Sequence, residues 1–158
     1  MKPVSLDARV QMAEDLIAAR LLHVRLRKSV RQAVTPSPDF HDLVDRSAGP
    51  WGCWPWIGGL SPQGYGMTRV RRAGFSVATG AHRVAYYLDT GYWGVGNRGP
   101  VIRHLCHNHA CCNPRHLLVG SRASNVWDSQ MRRAGVDLVA VRMLVERPQR
   151  RNRARASA

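Results

Sequence analysis

Three metal-binding side chains lie close together in the second half of the chain. Cys106, Cys111 and His116 are separated by four residues each, and a fourth candidate ligand, Cys53, lies far upstream. Three thiolates and one imidazole form the ligand set of a closed tetrahedral zinc site, which keeps no open coordination position. Three of the four cysteines fall within seven residues, which indicates metal binding rather than the disulfide framework of a secreted protein. We therefore predict a structural zinc site.

One histidine beside this cluster is not needed by a four-ligand zinc site. His104 precedes Cys106 by two positions. An imidazole, with an ordinary pKa of about 6.5, can accept a proton near neutral pH. His104 is therefore a candidate general base held next to a loop that the metal fixes.

The charge of the chain predicts a polyanionic partner. There are 24 Lys and Arg residues against 10 Asp and Glu residues, which gives a net charge of +14, and all the basic residues except Lys2 and Lys28 are Arg. The planar guanidinium matches phosphate oxygens in pairs. A GC-rich genome also raises the Arg content, but it would not by itself leave so few acids. Residues 51–135 hold 10 basic and only 2 acidic residues, so we expect this segment to face nucleic acid.

Apolar periodicity and turn residues predict the elements that position these groups. Helical spacing near the N-terminus predicts a helix from Ser5 to about Val34 that ends before Pro36. Residues 36–50 are predicted to be a linker, and short extended segments are predicted at 53–57, 65–72 and 75–78. The remaining predicted elements are a helix over 81–90 closed by Gly91, strands at 101–104 and 117–119, a helix over 122–133 capped by Ser121, and a helix over 137–146.

We expect three parts in the chain. Residues 1–35 are the N-terminal amphipathic helix, residues 36–135 are the zinc-stapled domain, and residues 136–158 are a short helix with a basic tail that we expect to be disordered alone. The N-terminus lacks the apolar core of a signal peptide, and no apolar run approaches the roughly 18 residues that span a bilayer. We therefore expect a soluble, intracellular protein with no membrane partner.

The order strand, metal loop, strand and helix resembles the ββα-metal nucleases, also called HNH or His-Me finger endonucleases. Within that superfamily the chain is most similar to the His-Cys box homing endonucleases and related phage HNH proteins. The residues that carry the resemblance span about 40–133 and are Cys53 to Trp56, Gly64 to Gly66, Ala81 to Tyr86, His104 to Cys106, Cys111 to Leu117, and Asn125. The block from His104 to Asn125 is the specific part of this pattern.

The resemblance implies an α+β fold, namely a ββα-metal domain with a structural zinc loop, preceded by a small twisted antiparallel sheet and the N-terminal helix. It implies that Zn²⁺ is held by Cys53, Cys106, Cys111 and His116. It also implies that His104 is the general base and that Asn125 is the protein ligand of a catalytic Mg²⁺. Relatives usually have an arginine near the scissile phosphate, and strand alternation favours Arg69 and Arg71 over Arg72 for that role.

One position departs from the family pattern. Arg103 stands where many HNH relatives have an Asp that is a second metal ligand. The His-Cys box branch manages with the Asn alone, so the resemblance still implies catalysis. It also implies that Mg²⁺ binds weakly until DNA supplies oxygen ligands. We further expect the backbone carbonyl of Asn113 to orient His104.

Other side chains near this block admit two interpretations. His107 and His109 could replace a zinc ligand, although we favour loop residues near the DNA backbone. Cys112 follows a predicted ligand directly and cannot easily share its ion, so we expect a buried free thiol. His82 and Arg83 could contact phosphate, but packing or helix capping explains them equally well.

The function implied is a magnesium-dependent endonuclease that cuts or nicks duplex DNA, in the cytoplasm of a bacterial or phage-infected cell. One site per chain leaves both a monomer that nicks and a homodimer that cuts both strands. The alternative from another class is a catalytically silent, zinc-stapled DNA-binding module. Such a module would need the zinc ligands and the basic face but not both His104 and Asn125. Cleavage of RNA or of a particular nucleic-acid structure also stays open.

Overall fold

The computed structural model describes residues 6–27, 34–93 and 100–146, so the predicted basic tail lies outside the described residues. The fold is a mixture of helices and two small antiparallel sheets, in agreement with the mixed α and β prediction. The elements are α1 (Leu6–Arg27), β1 (Val34–Pro36), β2 (Met67–Arg72), β3 (Phe75–Gly80), α2 (Ala81–Thr90), β4 (Val101–His104), the 3-10 turn η1 (Pro114–His116), β5 (Leu117–Gly120) and α3 (Arg122–Arg133), followed by a helical segment over 138–146.

The first sheet has the strand order β1-β2-β3. Strands β2 and β3 pair antiparallel, and the turn between them has φ values of 50° at Ala73 and 84° at Gly74. Two consecutive positive φ values are typical of the tight hairpin turns that match the strand twist. Side chains alternate along β2, so Val70 is buried while Arg69 and Arg71 are exposed on the other face.

Strand β1 differs from the prediction, which assigns its residues to the end of the N-terminal helix and the start of the linker. Val34 pairs with Arg72, and Pro36 pairs with Val70. The strand lies at the edge of the sheet, where a proline is tolerated because its missing N–H faces away from the ladder. The predicted extended segment at 53–57 is also not a regular strand, and it makes only isolated bridges through Pro55 and Trp56.

The second sheet and the helix that follows it carry the order predicted from the sequence. Strand β4 pairs antiparallel with β5, with His104 opposite Leu117. The hydroxyl of Ser121 accepts a hydrogen bond from the N–H of Ser124 at 3.0 Å and so caps α3. Helix α2 also ends as predicted, at Gly91 in the left-handed conformation with φ 73°.

Helix α1 packs on the rest of the protein through one face. Ala8, Met12 and Ala19 are buried, and Met12 belongs to the same apolar core as Leu117 of β5 and Val141 of the last helical segment. The core therefore contains residues from all three predicted parts of the chain, and the predicted boundaries at 35 and 135 stay predictions. Within the described residues, no helix combines the length and the apolar character needed to cross a membrane.

The two faces of α1 lead to a first testable prediction. Met12 is 0% exposed, whereas Ile17 on the same helix is 58% exposed. Replacing a buried methionine with alanine costs about 2–5 kcal/mol, because apolar contacts are lost and a cavity remains. We expect Met12→Ala to lower the free energy of unfolding by that amount in urea titrations of the full chain. The control Ile17→Ala should change it by about 0.5 kcal/mol or less, and equal losses from the two variants would show that α1 does not pack as described.

Candidate functional site

The four predicted zinc ligands lie together in the structure. The sulfur atoms of Cys53, Cys106 and Cys111 and a ring nitrogen of His116 all lie within 4.8 Å of one another. Cys111 and His116 are buried, and Cys53 and Cys106 are partly buried. Four such atoms this close together can be gathered by one tetrahedral metal ion.

Backbone pairing brings Cys53 to the distant loop that holds the other three ligands. The N–H of Trp56 donates to the carbonyl of Ala110 at 2.8 Å, and the N–H of Cys112 donates to the carbonyl of Trp54 at 2.7 Å. The side-chain amide of Asn113 reinforces this pairing, since it donates to the backbone carbonyls of Pro50 and Gly52 at 3.1 and 2.7 Å. Residues before Cys53 and residues after it are thus both hydrogen-bonded to the loop that holds the other ligands.

The orientation of His116 fits a tetrahedral metal site. Its Nδ1 lies 3.5 Å from the Cys53 sulfur and 3.6 Å from the Cys111 sulfur. Zinc–sulfur and zinc–nitrogen bonds of about 2.3 and 2.0 Å give a tetrahedral edge of about 3.5 Å. The Nε2 atom lies 2.9 Å from the carbonyl oxygen of Trp51, which can only accept, so Nε2 carries the proton and Nδ1 presents its lone pair to the thiols.

The thiols cannot all ionise without a cation. The pKa of Cys111 is lowered to about 4, chiefly by the hydrogen bond from the Cys106 thiol. The same contact raises the pKa of Cys106, and burial raises the pKa of Cys53. A divalent ion favours the thiolate form of all three, and metal binding releases the remaining protons. The residues present therefore fit Zn²⁺ in both geometry and charge.

The neighbouring groups of the loop stay outside this cluster. Cys112 is buried, and its thiol faces the carbonyl of Ala110 at 3.8 Å. His107 and His109 are not among the clustered ligand atoms. Nδ1 of His109 instead lies 2.9 Å from the carbonyl of Gln63. The structure thus agrees with the expectation that Cys112 is a buried free thiol.

The structure fixes the position, the tautomer and the charge of His104. It ends β4 and is 7% exposed, and its Nε2 lies 3.2 Å from the carbonyl oxygen of Cys111. Since a carbonyl only accepts, Nε2 carries the proton and Nδ1 keeps the lone pair. Burial lowers the pKa of His104 to about 4, so the imidazole is neutral at neutral pH. The ring therefore presents a free acceptor nitrogen.

The expectation that the carbonyl of Asn113 orients His104 is wrong, because that role belongs to Cys111. The Asn113 carbonyl accepts instead from the N–H of His116 at 2.9 Å. The side-chain oxygen of Asn113 accepts from the N–H of Arg115 at 3.0 Å, which caps η1. Both oxygens of Asn113 are thus directed into the turn that begins at Pro114.

A cleft of about 910 Å³ opens beside His104. Its lining brings together His104 from β4 and Asn125 from the exposed side of α3, two of the residues predicted for the site. None of the described residues that line this cleft is Asp or Glu. The basic side chains of Arg83 and Arg122 belong to the lining. The arrangement is suited to an anionic ligand next to a neutral imidazole.

Several aromatic rings of the cleft were not predicted as site residues. The His82 ring lies 4.7 Å from the His104 ring between centroids, and Tyr65 stacks on His109 at 4.3 Å with an interplanar angle of 4°. Burial lowers the pKa of His82 to about 3, so this imidazole is also neutral. The sequence places His82 at the start of a predicted helix and Tyr65 and His82 within the motifs of the resemblance, but a contact of His82 with phosphate and a packing or capping role fit it equally well.

The predicted arginines Arg69 and Arg71 do not line the cleft. They lie on the exposed face of β2 together with Met67, which does line it. The exposed side chains of Met67, Arg69 and Arg71 therefore form a row along β2 that begins at the cleft and leads away from it. The role predicted for the two arginines at the scissile phosphate stays a prediction, since the arginines that line the described cleft are Arg83, Arg103 and Arg122.

Comparison with known proteins finds a match for the segment that holds three of the four clustered ligands, Cys106, Cys111 and His116. Residues 61–132 match a family model described as the zinc-binding loop region of homing endonuclease. Protein 2.8 of Escherichia phage T7 is 34% identical over 77 residues, which cover 49% of this chain and 48% of that protein. Protein 7.7 of the same phage is 34% identical over 76 residues, or 48% of this chain and 53% of that protein. The matches thus cover about half the length of these relatives, and no solved structure matches the chain.

Two adjacent cysteines give a matched test of the metal site. Cys111 and Cys112 are both buried, but only Cys111 belongs to the ligand cluster. We expect one zinc ion per chain in the wild-type protein and in Cys112→Ala, and loss of that ion in Cys111→Ala. Metal analysis after purification measures this, and a strong chelator should unfold the wild-type protein because a zinc loop of this kind is held by its ion. Equal zinc content in the two variants would contradict the assigned ligands.

Proposed function

We propose that this protein is a metal-dependent endonuclease. The proposal starts from the match of residues 61–132 to the zinc-binding loop of homing endonucleases, which are HNH, or His-Me finger, proteins. The protein hydrolyses phosphodiester bonds of duplex DNA, and β4, β5 and α3 are its ββα-metal unit. One observation carries the proposal: His104, in the tautomer of a base, and Asn125 line the same cleft, directly beside the zinc-binding cluster. The zinc ion is structural, because four protein ligands leave it no open position.

His104 activates the nucleophile in this proposal. The Nδ1 atom keeps its lone pair because Nε2 is directed at the Cys111 carbonyl. A water molecule in the cleft can donate its proton to that lone pair as its oxygen attacks phosphorus, and the bond to the 3′-oxygen of the DNA breaks. The hydrogen bond at Nε2 then stabilises the imidazolium that forms, as an acceptor on the far nitrogen does in other histidine bases.

Asn125 is the proposed protein ligand of Mg²⁺, because its amide oxygen is the kind of hard ligand that this ion prefers. When bound, Mg²⁺ supplies positive charge near the departing 3′-oxygen. Since none of the described cleft residues is acidic, phosphate oxygens of the DNA and water molecules would provide the remaining ligands. This composition supports the expectation that the ion binds weakly to the protein without DNA.

The arginines divide between two places in this proposal. Arg83 lines the cleft, and its guanidinium donates to the Trp93 carbonyl at 3.5 Å and lies 5.7 Å from the centre of the Trp93 ring. Its position favours contact with the phosphate that reacts. Arg69 and Arg71, on the exposed face of β2, are placed to contact phosphates further along the duplex.

The relatives in a phage favour a place of action in a phage-infected bacterial cell, where phage and host DNA are both accessible. The alternative function, a silent zinc-stapled DNA-binding module, accounts for the zinc ligands and the arginines. It does not account for the orientation of His104 by a backbone carbonyl within the cleft that also contains Asn125. The two functions differ in a direct cleavage test.

The base assignment predicts a specific loss of cleavage. We expect the wild-type protein to nick or linearise supercoiled plasmid when Mg²⁺ is present. His104→Ala should reduce the rate by about 10²–10⁴-fold, which is the usual contribution of a general base. Product analysis on agarose gels measures the rate, and linear product formed without a nicked intermediate would indicate that two copies of the chain act together.

Two controls make this test decisive. His41→Ala removes an exposed histidine outside the cleft and should leave the rate unchanged. Each variant is used only if it retains one zinc ion per chain, so that lost activity is not lost folding. Equal cutting by wild type and His104→Ala would refute the base role. DNA binding without cleavage of DNA or RNA by the wild-type protein would favour the silent module.

The two places assigned to the arginines predict different kinetic effects. Arg83→Ala should lower the single-turnover rate at saturating DNA. Arg69→Ala and Arg71→Ala should instead raise the Kd for DNA, and each should reduce the slope of log Kd against log salt concentration by about 1, because one phosphate contact is lost. Fluorescence anisotropy over a salt series measures the slope. A rate defect in Arg71→Ala with unchanged binding would restore the role predicted for it at the scissile phosphate.

A further inference from the structure

A buried ionic network lies directly behind the proposed active site. Arg103 precedes His104 on β4, and its side chain is 0% exposed. Its Nη1 pairs with Asp128 of α3 at 2.5 Å, and its Nη2 pairs with Asp15 of α1. The same Nη1 also donates to the carbonyl of Ser124 at 3.4 Å. One guanidinium therefore contacts three positions on two helices.

We propose that Arg103 is a positioning residue for the cleavage reaction. It holds α3, which carries Asn125, in place against β4, which carries His104. Asp15 of α1 is a necessary part of this connection. The proposal rests on the proposed function. Arg103 has no direct part in the chemistry, because both of its terminal nitrogens are engaged by these partners.

The contacts of Arg103 on α3 lie on either side of Asn125. Ser124 immediately precedes Asn125, and Asp128 follows it by three positions, about one helical turn later. A shift of the guanidinium would therefore move the turn that carries Asn125. Arg103 and His104 are consecutive on β4, and consecutive strand residues leave the backbone on opposite faces. Arg103 can thus bind the helices while His104 faces the cleft.

Helix α1 supplies the second carboxylate of the network. Asp15 is largely buried, with a side-chain exposure of 13%, and lies on the same face of α1 as Met12 and Ala19. A buried guanidinium needs charged partners to offset the loss of its hydration. With only Asp128 as a partner, the Nη2 group of Arg103 would lose its ion pair. Asp15 thus holds the guanidinium from α1, while Asp128 holds it from α3.

Strand β5 is shaped to accommodate the Arg103 side chain. A Cβ atom at Gly120 would lie 2.8 Å from Nε of Arg103 and 3.4 Å from Cβ of Ser124. The first of these distances is too short for real contacts, so any larger residue would displace the guanidinium or the start of α3. The backbone conformation of Gly120 does not require glycine, since it is not among the residues with positive φ. Space for Arg103 is therefore the reason for glycine here.

The test must separate positioning from simple stabilisation of the fold. Asp15→Asn removes one ion pair at a residue that is not part of the cleft lining, and it keeps the side-chain shape. Glu14→Gln is the matched control, because Glu14 is the exposed neighbouring acid on the same helix. The full zinc-loaded chain is used for both variants, at a temperature where each is folded. Two quantities are measured: amide hydrogen exchange in residues 122–133, and the single-turnover rate of plasmid cleavage at saturating DNA over a range of Mg²⁺ concentrations.

We expect Asp15→Asn to accelerate exchange in residues 122–133 while exchange in the zinc loop is unchanged. The cleavage rate should fall on the order of 10–100-fold, the usual effect of losing a group that orients a metal ligand, with the Kd for DNA within about 2-fold of wild type. The Mg²⁺ concentration for half-maximal rate should rise, since Asn125 is the proposed ligand. Glu14→Gln should change none of these quantities.

Other outcomes would overturn the proposal. A normal rate and a normal Mg²⁺ dependence in Asp15→Asn, with faster exchange in α3, would show that the network only stabilises the fold. Unchanged exchange in α3 would show that α1 and α3 are not coupled through Arg103. A wild-type protein that cuts no nucleic acid would refute the proposed function itself, and the exchange data would still decide whether the coupling exists. Arg103→Lys keeps the charge but cannot hold both carboxylates in the same geometry, so a wild-type rate in that variant would also refute the positioning role.

Discussion

The closure of Cys53 onto the loop of residues 106–116 is the interaction on which the rest of the structure depends. The sheets consist of strands of three to six residues, and the segment between β1 and β2 has no regular secondary structure. Strands this short are not stable by themselves in water. A structural zinc site contributes about 10–16 kcal/mol, which is as large as the whole stability of a typical domain, about 5–15 kcal/mol. The ion therefore determines whether the loop, and the elements that pack on it, are folded.

This dependence extends to His104, the proposed general base. The carbonyl that fixes the tautomer of His104 belongs to Cys111, which is itself a member of the ligand cluster. Strand β5, which pairs with the strand of His104, begins directly after His116. Loss of the ion would thus release the orienting carbonyl and the partner strand together. The ion that stabilises the fold therefore also keeps His104 in the orientation that the proposed reaction needs, even though the zinc ion takes no part in that reaction.

The local elements and the zinc cluster could be predicted from the sequence, because each has a short-range cause. Gly91 and Ser121 mark helix ends through their own conformation or side chain, and the spacing of the cysteines indicates a metal site. Strand β1 could not be predicted in this way, since only pairing with the distant β2 makes it a strand. The cleft also depends on contacts between distant segments, so the approach of His82 to His104 had no clear signal. The same holds for Arg103, whose partners Asp15 and Asp128 are 88 and 25 residues away.

The position of Asp15 also has an evolutionary consequence. The segment that matches the homing endonuclease family begins at residue 61, whereas Asp15 lies well before it and still supplies a partner to Arg103 within it. A zinc-loop module of this kind cannot be inherited as an independent unit if its buried arginine depends on a helix contributed by a different part of the gene. Recombination that exchanges the module alone would leave a buried cation with one partner fewer. Positions 15, 103 and 128 are therefore expected to change together among relatives, so that an arginine at 103 occurs in lineages that also retain the N-terminal helix.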